Sequence, residues 1–87
     1  MSKSEKRPFE TLDFPCTFLF RIIARQNNRI VEQCTTLISG FAEIQNISPL
    51  PQKKLIRIRI EVQVESAEQI YTIYEALGTL DDVLMVI

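Results

Sequence analysis

The stretch that decides the fold is Leu55-Ile56-Arg57-Ile58-Arg59-Ile60-Glu61-Val62-Gln63-Val64-Glu65. It alternates apolar and polar without a break. Successive side chains of a strand point to opposite faces, so this period of two predicts a long strand, β3, over 55–65. Ile56, Ile58, Ile60, Val62 and Val64 form its buried face. Arg57, Arg59, Glu61, Gln63 and Glu65 form its open face. A strand with one covered and one open face belongs in an antiparallel or mixed sheet.

Working outward, Ser66 and Gln69 carry the spacing of a capping box. They open a helix, α2, whose stripe is Ile70, Ile73, Tyr74 and Leu77, and Gly78 ends it. Thr79 to Asp82 turn the chain into a short strand, β4, at 83–87. On the other side of β3, Pro49-Leu50-Pro51 lacks the N–H groups of a sheet ladder. It reads as a hairpin loop running through Gln52 and Lys53. Ala42 to Ser48 form a weaker strand, β2, with Ile44 and Ile47 out of phase, which a bulge or a frayed edge would explain.

Further upstream, Phe18, Phe20, Ile22 and Ala24 alternate with Leu19, Arg21, Ile23 and Arg25, giving strand β1 at about 16–25 behind Pro15. Ile30, Cys34, Leu37, Ile38 and Phe41 recur at helical spacing and predict α1 at about 28–39. Asn27 or Asn28 would cap it, and Gly40 would supply a left-handed exit. The order is β-α-β-β-α-β. With right-handed crossovers this is the ferredoxin-like α+β sandwich, a four-stranded sheet with two helices on one face. β1 and β3 should be central, β2 and β4 the edges.

The chain has 87 residues, enough for one domain, with residues 1–12 expected to be a flexible tail. Lys3, Lys6 and Arg7 are too sparse for a nucleic-acid arm. There is no histidine, which excludes a histidine triad, a histidine base and a histidine metal ligand. Cys16 and Cys34 are too far apart for a C-x-x-C motif, and Cys34 falls on the α1 stripe as a small core residue; a disulfide between them is the sharper alternative. No metal site, cofactor or catalytic set is expected. No apolar run reaches the length of a membrane span, and the N-terminus lacks a signal-peptide core, so a cytoplasmic chain with reduced thiols is expected.

Net charge is −1, but it is unevenly placed. Residues 1–59 hold ten basic and five acidic residues, a net of +5, whereas residues 60–87 hold six acidic residues and no basic one. The open-face positions Leu19, Arg21, Ile23, Arg57, Arg59 and Glu61 include no aromatic for base stacking, which leaves RNA binding a lesser reading.

Two candidate sites remain. Arg25, Asn27, Asn28 and Arg29 cluster at the β1–α1 turn, where a small anion or metabolite would dock; the competing reading is a solvated turn whose arginines pair with nearby acids. Asp81 and Asp82 read as turn residues. The other site is the open sheet face, where Leu19 and Ile23 should lie beside Leu84 and Val86, next to Arg57 and Arg59. Such patches mark interfaces, so a homodimer or a protein partner is expected there. The competing reading is cover by the tail through Phe9, Leu12 or Phe14.

The segment Tyr74-Glu75-Ala76-Leu77-Gly78, followed by Asp82-Val83-Leu84-Met85-Val86-Ile87, resembles the ending of the YbeD-like family of small bacterial proteins of unknown function. The Phe14-Pro15 opening and the terminal β4 agree with it. The resemblance covers residues 13–87 and implies a single ferredoxin-like domain similar to ACT regulatory domains, which bind amino acids and pair through their sheets. The glycine such domains place between β1 and α1 is missing here. The reading that results is a non-enzymatic regulatory or protein-interaction module with no membrane partner; a small-anion or metabolite sensor at the β1–α1 turn is the alternative, and RNA binding the lesser one.

Overall fold

In the computed structural model, residues 12–87 are described, and the expected tail lies outside them except for Leu12. The order is β1 (Cys16–Arg25), α1 (Ile30–Ser39), β2 (Glu43–Gln52), β3 (Leu55–Val64), α2 (Ala67–Leu77) and β4 (Val83–Val86). The sheet order is β2-β3-β1-β4, with every pair antiparallel. The two long alternating strands take the centre, as their patterns require. β1 and β3 pair along their whole length, from Cys16 opposite Val64 to Arg25 opposite Leu55.

This register puts Phe20, Ile22 and Ala24 of β1 on the same face as Ile56, Ile58, Ile60, Val62 and Val64 of β3. Ile30, Cys34 and Ile38 of α1 and Ile70, Ile73 and Leu77 of α2 close over them, and no polar or charged residue is buried among the described residues. Phe18, Phe20 and Tyr74 extend the core with edge-to-face contacts, their ring centroids 4.9 to 6.4 Å apart. Both cysteines are free, and Cys34 is fully buried.

Several local expectations change. β2 does not stop at Ser48. It runs through Pro49, Leu50 and Pro51 to Gln52, paired with β3 throughout. The prolines lie two apart on an edge strand, so their missing N–H groups both face away from the ladder and cost it nothing. Only Lys53 and Lys54 form the turn, with Lys53 at a left-handed φ of 54°. The phase slip between Ile44 and Ile47 is a bulge at Gln45, which returns both isoleucines to the core side.

At α1, Arg29 holds the cap position with no side-chain cap, while Asn27 Oδ1 accepts the Arg29 N–H at 2.7 Å. The asparagine therefore shapes the turn before the helix and does not cap it. Gly40 is right-handed, at φ −72°, so the exit is not a left-handed one. Phe41 falls beyond the helix and is exposed. At α2, Ser66 Oγ accepts the Gln69 N–H at 3.2 Å as predicted, but Gln69 Oε1 reaches the Glu65 N–H, one residue before the cap. No helix among the described residues is long and apolar enough to cross a membrane.

Candidate functional site

With both helices on one face, the odd-numbered residues of β1 and β3 line the other. Arg21 lies opposite Arg59, Ile23 opposite Arg57, and Leu19 opposite Glu61. β2 adds Leu50 beside Arg57, Ser48 beside Arg59 and Asn46 beside Glu61. Directly opposed side chains of an antiparallel pair stand about 5 Å apart at Cβ. The side chains of Arg21 and Arg59 thus leave the sheet as immediate neighbours, and Arg57 follows two residues along the same strand as Arg59.

The β4 side of this face differs from the sequence reading. Met85, not Leu84 or Val86, pairs with Ile23, and Val86 pairs with Ile22 on the core side. A bulge between Ile23 and Ala24 inserts Leu84 as an unpaired residue and flips the alternation of everything after it. The N–H and carbonyl of Ile87 bond to Arg21 at 2.8 and 3.4 Å, which brings Ile87 onto the open face. Leu19 has no β4 neighbour. The signal for this shift was absent from the apolar run Val83 to Ile87, which reads alike in either phase.

The result is a patch in which Leu50 is 55%, Leu84 47%, Met85 54% and Ile87 56% exposed, an unusual density for side chains of this kind. Between Leu50 on one side and Ile87 on the other runs a groove of about 360 Å³, lined also by Arg21, Ile23, Arg57 and Arg59. A second hollow, about 220 Å³, continues past Arg59 to Leu19 and Glu61. Arg21, Arg57 and Arg59 make no ion pair among the described residues. Phe14 packs against the core cluster and so does not cover this face; Phe9 lies outside the described residues.

The β1–α1 turn is brought together as expected but is internally occupied. Arg25 lies 3.7 Å from an Asp82 carboxylate oxygen and donates to the Asp81 carbonyl at 3.1 Å. Asn27 Nδ2 donates to the other Asp82 oxygen. Arg29 lies 3.7 Å from Glu32, and Asn28 is exposed. Asp82 thus already sits where an anion would dock. The Asp82 carboxylate and the Asp81 carbonyl tie the start of β4 to this turn, and no group of metal-ligating side chains forms among the described residues.

Comparison with known proteins agrees with the architecture. A family model described as "Protein of unknown function (DUF493)" matches residues 10–87. A UPF0250 protein of Edwardsiella ictaluri is 26% identical over 81 residues, covering 90% of this chain and 93% of its own. A UPF0250 protein of Pectobacterium carotovorum is 27% identical over the same span. Among solved structures, the ACT domain of GTP pyrophosphokinase from Chlorobium tepidum superposes with a TM-score of 0.71 at 23% identity, covering 83% of this chain and 97% of that domain. Protein HP0495 from Helicobacter pylori gives a TM-score of 0.71 at 20% identity, over 100% of this chain and 94% of that one.

Proposed function

The chain belongs to the DUF493 family, whose function is unknown, and from that premise we propose that it is a non-enzymatic interaction module whose working surface is the open sheet face. The observation that supports this is the exposure of Leu50, Leu84, Met85 and Ile87 on one face, beside half-buried Ile23. Burying apolar surface is worth about 25 cal/mol per Å², so a face of this kind gains most when a partner covers it. Among the described residues, the apolar stripes of both helices are spent on the core. The β1–α1 turn is the weaker site: an incoming anion would have to displace Asp82 from Arg25 and Asn27.

A photo-crosslinking residue placed at Met85, and separately at exposed Thr72 on α2, tests the proposal in intact cells. A discrete crosslinked protein species is expected from position 85 and not from position 72. Equal crosslinking from both positions, or none from 85, overturns it.

A further inference from the structure

We propose that the partner presents an acidic, apolar-flanked segment of polypeptide to the groove between Leu50 and Ile87, with its carboxylates received by Arg21, Arg57 and Arg59. This rests on the open-face reading above and names the chemistry of what binds there.

Three features of the groove carry it. The first is the charge arrangement. Like charges directly opposite each other across two strands are destabilising. Yet Arg21 and Arg59 are opposed, with Arg57 beside them, and none has a carboxylate partner among the described residues. The other arginines among the described residues are matched: Arg25 to Asp82 and Arg29 to Glu32. Among the described arginines, the open-face trio is the set left without a counter-charge. Its guanidinium forks match carboxylates in bidentate geometry.

The second is the apolar frame. Ile23 lies between the arginines and Met85, Leu50 stands beside Arg57, and Ile87 stands beside Arg21. A bare anion would satisfy the arginines and leave these side chains wet. A segment carrying both carboxylates and apolar side chains covers both. Glu61, next along β3 from Arg59, closes the positive zone and sets the end past which the partner's carboxylates would be repelled.

The third is shape. The groove is floored by the sheet itself and walled only by side chains of its surface. Small-molecule sites enclose roughly 70–90% of their ligand. A one-sided groove cannot do so. A segment anchored in a larger protein, with Leu84 and Met85 available beside the groove, needs no enclosure.

The probe is a short synthetic peptide of alternating glutamate and leucine, compared with its counterpart carrying lysine for every glutamate. Amide shifts and fluorescence anisotropy are read on the full chain. The glutamate peptide should shift the amides of Arg21, Ile23, Arg57, Arg59 and Ile87. Its affinity should fall about tenfold or more with Arg59→Glu, which removes one charge-assisted contact and adds a repelling carboxylate, and should fall with added salt. Arg59→Glu places a carboxylate opposite Arg21 and so keeps the sheet paired; Arg57→Gln serves as a second variant that adds no new charge. Equal binding of the lysine peptide, shifts mapping elsewhere, or no shift overturns the inference. If crosslinking from position 85 persists in that case, the face is still a docking surface but its partner is not acidic. If instead the crosslinked species is a second copy of this chain, the occupant is the chain itself and the inference falls.

Discussion

Cys34 shows what a single core position does to the energetics. It has no exposed surface, and burial pushes its thiol up to about 11 from an ordinary 9.0. The folded chain therefore keeps a proton that the unfolded chain has lost. The sign follows: this contribution is fully present below about pH 9 and is lost as pH rises through about 11. Tyr74, raised above 10.0 by the same desolvation, acts in the same direction. Denaturant midpoints followed from neutral to strongly alkaline pH should fall more steeply for the native chain than for Cys34→Ala. Parallel curves would assign the alkaline loss to Tyr74. The position of Cys34 was legible because its place on a helical stripe is a matter of spacing. Backbone conformation at single residues was less so. Gly40 reads as a left-handed exit but is right-handed, whereas Lys53, a residue with no such preference, takes the left-handed turn. The two-residue span between paired Gln52 and Leu55 forces that geometry, and nothing in the identity of lysine announces it.

At the scale of elements, Gln69 joins three of them. Its N–H donates to Ser66 Oγ, its Oε1 accepts the Glu65 N–H at 2.6 Å, and its Nε2 donates to the Phe41 carbonyl at 2.7 Å. The end of β3, the start of α2 and the segment after α1 are thereby held at one point. Gln69→Ala should cost about 2 kcal/mol, since two side-chain hydrogen bonds are worth about 1 kcal/mol each. Gln69→Glu separates the two. It keeps the acceptor for the Glu65 N–H but turns a carboxylate oxygen toward the Phe41 carbonyl. Thermal or denaturant unfolding should place it well below the native chain, and native-like stability would mean that the Phe41 bond contributes nothing. The cap was legible as a Ser-x-x-Gln spacing, but the bond to Phe41, 28 residues away, was not, because a local pattern carries no information on which loop will arrive there. The same limit explains β2 and β4. Prolines in β2 read as a loop because an edge strand tolerates them only where the missing N–H faces away from its partner, and that register is set by how β2 meets β3. The bulge at Leu84 arises from how β4 meets β1, so the candidate face was foreseen, but Met85 and Ile87 replace Val86 on it.

Over the whole molecule, the charge asymmetry of the sequence is folded into proximity. The acidic C-terminal part delivers Asp82 to Arg25, closing one potential anion site. It forms no ion pair with Arg21, Arg57 or Arg59 among the described residues: Arg21 meets apolar Ile87 just after β4, and Arg57 and Arg59 lie on β3, which β1 separates from β4. One basic residue is thus neutralised by the acidic part, while three others are presented on the open face. A surface held ready for an acidic partner should reduce the stability of the unbound chain. Arg21 and Arg59, about 5 Å apart at Cβ, repel each other in the free state. Arg21→Gln removes that repulsion and keeps a long polar side chain at the site. The variant should therefore be more stable than the native chain by a few tenths of a kcal/mol at low ionic strength. Screening supplies the control, since the Debye length shrinks from about 30 Å at 0.01 M salt to about 3 Å at 1 M. The stability gap, measured by denaturant unfolding of both chains in parallel, should close as salt is added. A gap independent of salt would mean that the arginines avoid one another in the free chain and that the open face holds no stored repulsion for a partner to relieve.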